Sequence, residues 1–571
     1  MCSFLAVNQF ITNLAFVNFF LRPRGPDATT HIRFHGFDMV HNLLHMTGEV
    51  KPQPFVSADG TAAALFNGEI YNWRALSEEA VSREGLQPYA SDGEAILPAY
   101  RALGNSFPRA LEGEFAIAIF DFAKKLAVFA VDCLGTKPLW YALLSGEKRL
   151  AVASYKSALL RLGFPDQAIH MVGPNRVLTI SLTTFRIQRE AAVFEFDMRQ
   201  FKKSTSGFIS AFNRAIQRRT EDLERAGRPL FVGLSSGFDS GAIHASLHHQ
   251  SVKHHAFALL GEELPQMLHD RAMHASTTSE VSVVILNDDD FDRERKWLAK
   301  RAEPFSYLGV NFTGQAAVLD DHASIGLSYI VRLSRDRGAL CYLSGTGADE
   351  ILSDYGFEGK KLCPQSSFGG LFPEDLSEIF PWREFFLSTQ RDYLHKEEHV
   401  AGAHGVEARY PFLDPRVIQE YLWLAPEVKN AEYKAPLHDA FVEWGYPFEK
   451  RKKQGFAAAA NMISDHASVL WRYNAHPPPA CGLPPVTPNS VAWCSGPSTG
   501  GRLHCETRCT GNQTPAADTL RCGLHGAWVG RLVCREDGLP ADDGDKAALL
   551  STLWSKEGSR PPVVMDRAIA G

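Results

Sequence analysis

Residues 231–244 read FVGLSSGFDSGAIH. An apolar run of the kind that forms a buried strand breaks at Ser235-Ser236-Gly237-Phe238-Asp239-Ser240, then resumes as a helical pattern. A strand that ends in a tight loop at a helix N-terminus presents free backbone N–H groups and the positive end of the helix dipole, which together make an anion site. Small residues let phosphate oxygens approach, and the hydroxyls of Ser235, Ser236 and Ser240 add donors. Asp239 would repel a phosphate directly; its place is explained if it holds Mg²⁺ that bridges the phosphates. No lysine follows, so this is not a P-loop. Taken alone, the stretch also reads as an ordinary capped strand-to-helix turn.

The surroundings favour an α/β reading. Between residues 210 and 460, strand-like RPLFVGLSS, HHAFALL, VSVVIL and ALCYLSG alternate with helical FISAFNRAIQRRTEDLERA, DSGAIHASLHH and QEYLWLA. That order predicts βαβ units and a parallel sheet with covering helices. Residues 1–190 instead hold short runs rich in Phe, Val and Ile with turn signals between them, which predicts a mainly β region with a few helices. A proline-rich linker is expected at 475–490, a small cysteine-rich module at 491–537 and a polar tail at 538–571.

Composition sets the outer limits. With 571 residues, 45% hydrophobic and 22% charged, the chain has the make-up of a globular protein of several domains. A net charge of -6 argues against a nucleic-acid or anionic-membrane footprint. No stretch stays apolar for the ~18 residues of a membrane span. The N-terminus lacks a basic start and is interrupted by Asn8, Gln9, Asn13 and Asn18, so it reads as mature protein rather than a leader. Cys2, Cys133, Cys341 and Cys363 are scattered as reduced thiols would be, whereas Cys481, Cys494, Cys505, Cys509, Cys522 and Cys534 crowd together like a disulfide module. His31, His35, His41 and His45 have metal-like spacings but no completing carboxylate or cysteine, and read as structural or surface residues.

The 231–244 stretch resembles the Ser-Gly-Gly-x-Asp-Ser pyrophosphate loop of ATP-pyrophosphatase ligases, with Ser236 in place of the first glycine. LSGTGADE (343–350), GVEARYPFLD (405–414) and RKKQGF (451–456) are similar to three further motifs of the asparagine synthetase family, in the family's order. The resemblance implies Mg²⁺ on Asp239 and Asp349. It implies an ATP site of Leu234, Ser235, Ser236, Gly237, Asp239, Ser240, Leu259, Ser344 and Gly345, with Lys453 stabilising the transition state. Thr346 stands where asparagine synthetases carry glutamate and lactam-forming relatives carry tyrosine, so the acceptor carboxylate stays open.

The N-terminal third carries a second resemblance. If Met1 is removed, Cys2 presents a thiol beside a free α-amine that can act as its base. RPRGPDA (22–28), FNGEIYN (66–72), SDGEAI (91–96), LEGEFAIAIFD (111–121) and VDCLGTKPLWYA (131–142) resemble class II glutamine amidotransferases. By that resemblance Cys2 attacks the glutamine amide, Asn67 and Gly68 form the oxyanion hole, and Glu69 and Asp92 hold the α-amino group. Two positions depart from the pattern. Leu43 replaces the arginine that anchors the glutamine carboxylate, and Val131 replaces the arginine before Asp132.

The expectation is an αββα N-terminal-nucleophile glutaminase domain (1–195) followed by a parallel-sheet ATP-pyrophosphatase domain (205–470). Glutamine, ATP and aspartate or a related carboxylate would be the small-molecule substrates, in a cytoplasmic enzyme with a homodimer left open. Two readings stay beside it: an amide- or lactam-forming ligase on a specialised acceptor, and a catalytically silent relative acting as a binding protein.

Overall fold

Two antiparallel sheets of six strands each face one another at the start of the chain. The computed structural model describes residues 2–449 except 86, 262, 309–314, 357–359, 364–365 and 367, together with backbone strands at 469–473, 519–524, 528–533 and 564–567. In the first sheet β1 (Ser3–Val7) is central, paired with β2 (Phe37–Leu43) on one side and the strand Arg149–Ala153 on the other. In the second sheet β3 (Ala62–Ile70), β4 (Gly113–Asp121) and β5 (Leu126–Val131) run side by side. Alternation along each strand divides the apolar residues into three layers. Phe4, Ala6, Leu65, Phe120 and Phe129 pack between the sheets. Leu5, Val7, Ala158 and Leu159 pack outside the first sheet, and Trp73, Ile96, Ile117 and Ile119 outside the second. The helices Lys156–Arg161 and Trp73–Glu84 cover these outer faces. The result is an αββα sandwich.

The chain leaves the sandwich after the strand Ile187–Ala191 and enters α1 (Ser206–Arg225). Phe208, Phe212, Ala215, Ile216 and Leu223 put one apolar stripe of α1 on the second core. That core surrounds a parallel sheet of β6 (Leu230–Gly233), β7 (His254–Leu259), β8 (Ser279–Ile285), β9 (Cys341–Leu343) and β10 (Glu407–Arg409). The spatial order is β10-β9-β6-β7-β8. Strands buried on both faces read as unbroken apolar runs, which is why Leu230-Phe231-Val232 was legible. Successive strands step one way from β6, then return to its other side with β9. Ligand crevices form at such a reversal, at the carboxyl ends of the strands. The loops that leave β6 and β9 there are 234–237 and 344–347.

The backbone strand 469–473 pairs antiparallel with β8, and the strands 564–567, 528–533 and 519–524 continue the sheet beyond it. The expected domain boundary at 470 thus falls within a strand. The expected linker and the side chains of the cysteine-rich segment lie outside the described residues, as does Lys453. No helix among the described residues is long and apolar enough to cross a membrane.

Candidate active sites

Cys2 enters β1, and its thiol donates to the Leu44 carbonyl at 3.8 Å. Burial pushes that thiol up to about 11, so it needs a base before it can attack. Asn67 lies in β3 on the same alternating face as Ala63 and Leu65, turned towards the first sheet. It is fully buried, and neither its side-chain oxygen nor its nitrogen has a hydrogen-bond partner. A buried amide without partners is costly unless a ligand completes it. Gly68 has φ +142°, and a Cβ there would lie 1.9 Å from the Glu114 carbonyl oxygen, so only glycine fits.

Two carboxylates lie at the end of β3. Glu69 accepts from the Thr47 hydroxyl at 2.7 Å and from Arg409 Nη2 at 3.2 Å. Asp92 accepts the backbone N–H groups of Ile70 at 3.0 Å and Gly93 at 2.8 Å. Burial raises both acids, Glu69 to about 8 against the pull of Arg409 and Asp92 to about 7. A buried and a half-buried acid without a full set of counter-charges suit a cationic guest such as an α-ammonium group. Leu43 ends β2 opposite Ala28 and contributes no cation.

The second site lies at the sheet reversal. Leu234 and Leu259 are buried at the ends of β6 and β7, and the Leu234 N–H donates to the Phe257 carbonyl at 2.7 Å. The loop after β6 is braced from within: Ser235 Oγ and Ser240 Oγ share a 2.7 Å hydrogen bond, and Gly237 N–H donates to Ser235 Oγ at 3.1 Å. Arg271, buried beneath, donates to the carbonyls of Ser235 and Gly237. Within the loop Ser236 donates both its backbone N–H (2.5 Å) and its hydroxyl to the Glu263 carboxylate. The loop after β9 packs close against α2 (Phe238–His249): a Cβ on Gly345 would lie 3.1 Å from Asp239 Cβ.

Asp239 and Asp349 converge on one cation, the Lys434 ammonium, which pairs with Asp239 and lies 2.6 Å from Asp349. Burial works against that charge, but Asp239, Tyr433 and Asp354 hold the lysine protonated, well above its ordinary value. Carboxylate oxygens that meet at a single cation are a hard donor set, and they fit Mg²⁺. Sequence reasoning missed Lys434, Glu263 and Arg271, none of which sits in a quoted motif. It also missed Glu397, whose Oε1 accepts from the Thr346 hydroxyl at 2.8 Å and whose Oε2 accepts from Ser344 at 2.5 Å.

A buried ionic network joins the sites. Arg24 donates to the Cys2 carbonyl at 3.1 Å and pairs with Glu398 at 2.8 Å. Lys137 pairs with Glu398 at 2.9 Å and donates to the Ala408 carbonyl at 2.6 Å. Arg219 pairs with Glu114 and Asp414, and Arg409 with Glu407 and Glu69. The cations of this network come from both halves of the chain and all are fully or nearly fully buried. The comparisons agree with this division. Residues 1–211 match the glutamine amidotransferase domain model, and residues 208–385 and 381–470 match the asparagine synthase model. This chain belongs to the asparagine synthetase family. Its relatives include the glutamine-hydrolysing asparagine synthetases of Gallus gallus, 25% identical over 73% of this chain and 76% of theirs, and of Homo sapiens, 25% identical over 79% and 83%. A Methanocaldococcus jannaschii relative is 23% identical over 69% of this chain and 70% of its own. The asparagine synthetase family uses ATP, and in this chain the loops after β6 and β9 meet at the sheet reversal.

Proposed function

We propose that this chain is a glutamine-dependent, ATP-consuming amide ligase that forms asparagine from aspartate, or amidates a closely related carboxylate. Cys2, freed of Met1 and activated by its own α-amine, attacks the glutamine amide. The Asn67 side chain and the Gly68 N–H receive the oxyanion, and Glu69 with Asp92 hold the glutamine ammonium group. In the second half, the loops 234–240 and 344–349 take ATP. Asp239 and Asp349 would hold Mg²⁺, which neutralises phosphate charge when bound. Adenylation leaves an acyl-AMP and pyrophosphate, and Lys453 is assigned to the charge on the departing group. Ammonia reaches the acyl-AMP through the junction between the halves.

The observation that carries this reading is the 3.2 Å contact of Arg409 with Glu69. A side chain from a synthetase motif supports the glutamine pocket, as expected if the two reactions serve one product. The free thiols Cys2, Cys133, Cys341 and Cys363 suit a reducing compartment such as the cytoplasm. The test compares glutamine with ammonia as nitrogen source while following pyrophosphate and asparagine. Cys2→Ala should lose only the glutamine-driven reaction, whereas Asp239→Asn or Asp349→Asn should abolish pyrophosphate release and leave glutamine hydrolysis measurable. Loss of both reactions in a folded Cys2→Ala chain, or unchanged pyrophosphate release in either aspartate variant, would refute the assignment.

A further inference from the structure

We infer that Arg271 is a positioning residue for the adenylation step: its guanidinium, placed under the loop after β6, turns that loop's peptide N–H groups towards the phosphates of the nucleotide. The inference rests on the reading above and deepens it, by naming what orients the loop 234–237. Arg271 lies in the helix Pro265–His274 and is fully buried. Its Nη1 donates to the Ser235 carbonyl at 2.5 Å and to the Gly237 carbonyl at 2.8 Å. A trans peptide unit points its C=O and its N–H in opposite directions. Drawing these two carbonyls down onto the guanidinium therefore sends the N–H groups of Ser236 and Phe238 the other way. The first is seen to do so, because the Ser236 N–H donates to the Glu263 carboxylate. Alternate N–H groups turned to one side of a tight loop make an anion-binding concavity.

The fit is made for a flat cation. Gly241 stands in the first turn of α2, and a Cβ there would come within 2.7 Å of Nη1 and 2.8 Å of Cζ. The guanidinium also lies 5.1 Å from the centre of the Tyr446 ring, whose hydroxyl shares a 2.7 Å hydrogen bond with His244 Nδ1. Its Nε donates to the Pro447 carbonyl at 3.2 Å. One planar group thus ties together three carbonyls from two separate stretches of chain. A lysine ammonium, with all its donors on one atom, does not span them. Burial lowers the pKa of Arg271, opposed by Tyr446, Glu263 and Asp239, and the guanidinium remains charged at any working pH. A buried cation under the N-terminus of a 12-residue helix opposes the helix dipole, so the arrangement gains most when an anion sits on the loop.

Arg271 acts through the loop, and no bond forms or breaks at it. Its effect falls on the pyrophosphate half of the nucleotide, both as ATP enters and as pyrophosphate leaves. The glutamine pocket belongs to the first sandwich and is untouched by it.

The experiment uses the full chain with MgCl₂ and inorganic pyrophosphate as the probe, its binding read by calorimetry. ATP–pyrophosphate exchange with aspartate and glutamine hydrolysis are measured beside it. Arg271→Met should weaken pyrophosphate binding and raise the ATP KM by about 10- to 100-fold, the range for losing charge-assisted hydrogen bonds, while glutamine hydrolysis keeps the parent rate. Millimolar guanidinium chloride should restore exchange to Arg271→Ala, and methylammonium chloride at the same concentration should not, a distinction that a merely structural side chain would not make. Gly241→Ala keeps the arginine but displaces its guanidinium, and alanine favours the helix, so this variant carries the test if Arg271→Met fails to fold. Its ATP KM should rise in the same direction. Unchanged pyrophosphate binding in the folded variant overturns the positioning role, as does equal rescue by the two cations or a loss of glutamine hydrolysis in step with exchange. Each of these leaves the ligase reading in place. Absence of pyrophosphate exchange with aspartate in the parent chain overturns the reading and the positioning role together.

Discussion

Replacing Lys434 with methionine tests the metal assignment without relying on turnover. The Lys434 ammonium is fully buried and is shared by Asp239 and Asp349. Methionine keeps most of the stem's volume and removes the charge, so two carboxylates are left facing one another. Breaking a buried ion pair by deleting one partner costs about 3–5 kcal/mol. For a unit of roughly 250 residues, each kcal/mol moves Tm by about 2 °C, so the synthetase transition should fall by about 6–10 °C. Mg²⁺ binds only the folded arrangement, and at a concentration of about 100 Kd it returns about 2.7 kcal/mol. The assay is calorimetric melting of the full chain with and without millimolar MgCl₂. Magnesium should raise Lys434→Met far more than the parent, in which the ammonium competes for the same oxygens. An equal Mg²⁺ response in the two chains would refute the claim that these carboxylates form a cation site, and an unshifted melt without Mg²⁺ would refute the role given to Lys434.

Gly68→Ala must open the pairing of β3 with β4 by more than 1 Å, since its Cβ would lie 1.9 Å from the Glu114 oxygen where real contacts stay beyond 3.0 Å; glutamine hydrolysis should be lost and ammonia-driven product retained, as measured side by side. The glutamine KM should fall as pH rises from about 6 to about 8, because Asp92 ionises near 7 and only its carboxylate pairs an ammonium group; Asp92→Asn should flatten that slope. The same shift has a stability sign. The folded state holds the Asp92 proton more tightly than the unfolded chain, so this group favours folding below its ordinary range near 4 and withdraws that support as pH climbs to about 7, which acid-to-neutral denaturant titrations of parent and Asp92→Asn would reveal. Arg409→Met should leave Glu69 and Glu407 without their shared cation, and glutamine consumed per amide formed should rise well above one. A chain ending after Tyr473 should keep both half-reactions, because every residue assigned to either site precedes that point.

Much of the architecture was legible because burial writes itself into local pattern. Leu230-Phe231-Val232 is unbroken because parallel strands are covered on both faces, and Phe4, Ala6 and Leu5, Val7 alternate because each face of the first sheet meets a different layer. The loop residues Ser235–Ser240 and Asp349 were legible for a related reason, since a strand-loop-helix unit needs small residues and a carboxylate at fixed offsets. Lys434, Glu263 and Glu397 were not. Each acts on a motif 27 to 195 residues away through a side chain whose own neighbours carry no signal, so only the folded chain brings them into register. The cysteine spacings in the tail predict a module whose side chains lie outside the described residues.

Glu397 and Glu398 are consecutive in the helix Thr389–Ala403, yet they reach different halves of the chain. One carboxylate faces the loop after β9; the other is tied to Arg24, which holds the carbonyl of Cys2. Neighbouring Cα atoms are 3.8 Å apart and cannot be separated. Any sliding or rotation of this helix is therefore transmitted to the Thr346 loop and to Cys2 at once, as with two keys cut on one blade. A redesign that shifts this helix to alter the surroundings of Thr346 would disturb the backbone of Cys2 as well. Changes confined to residues 344–347 escape that constraint, so under the function proposed above acceptor choice can drift in this four-residue loop while nitrogen delivery is preserved.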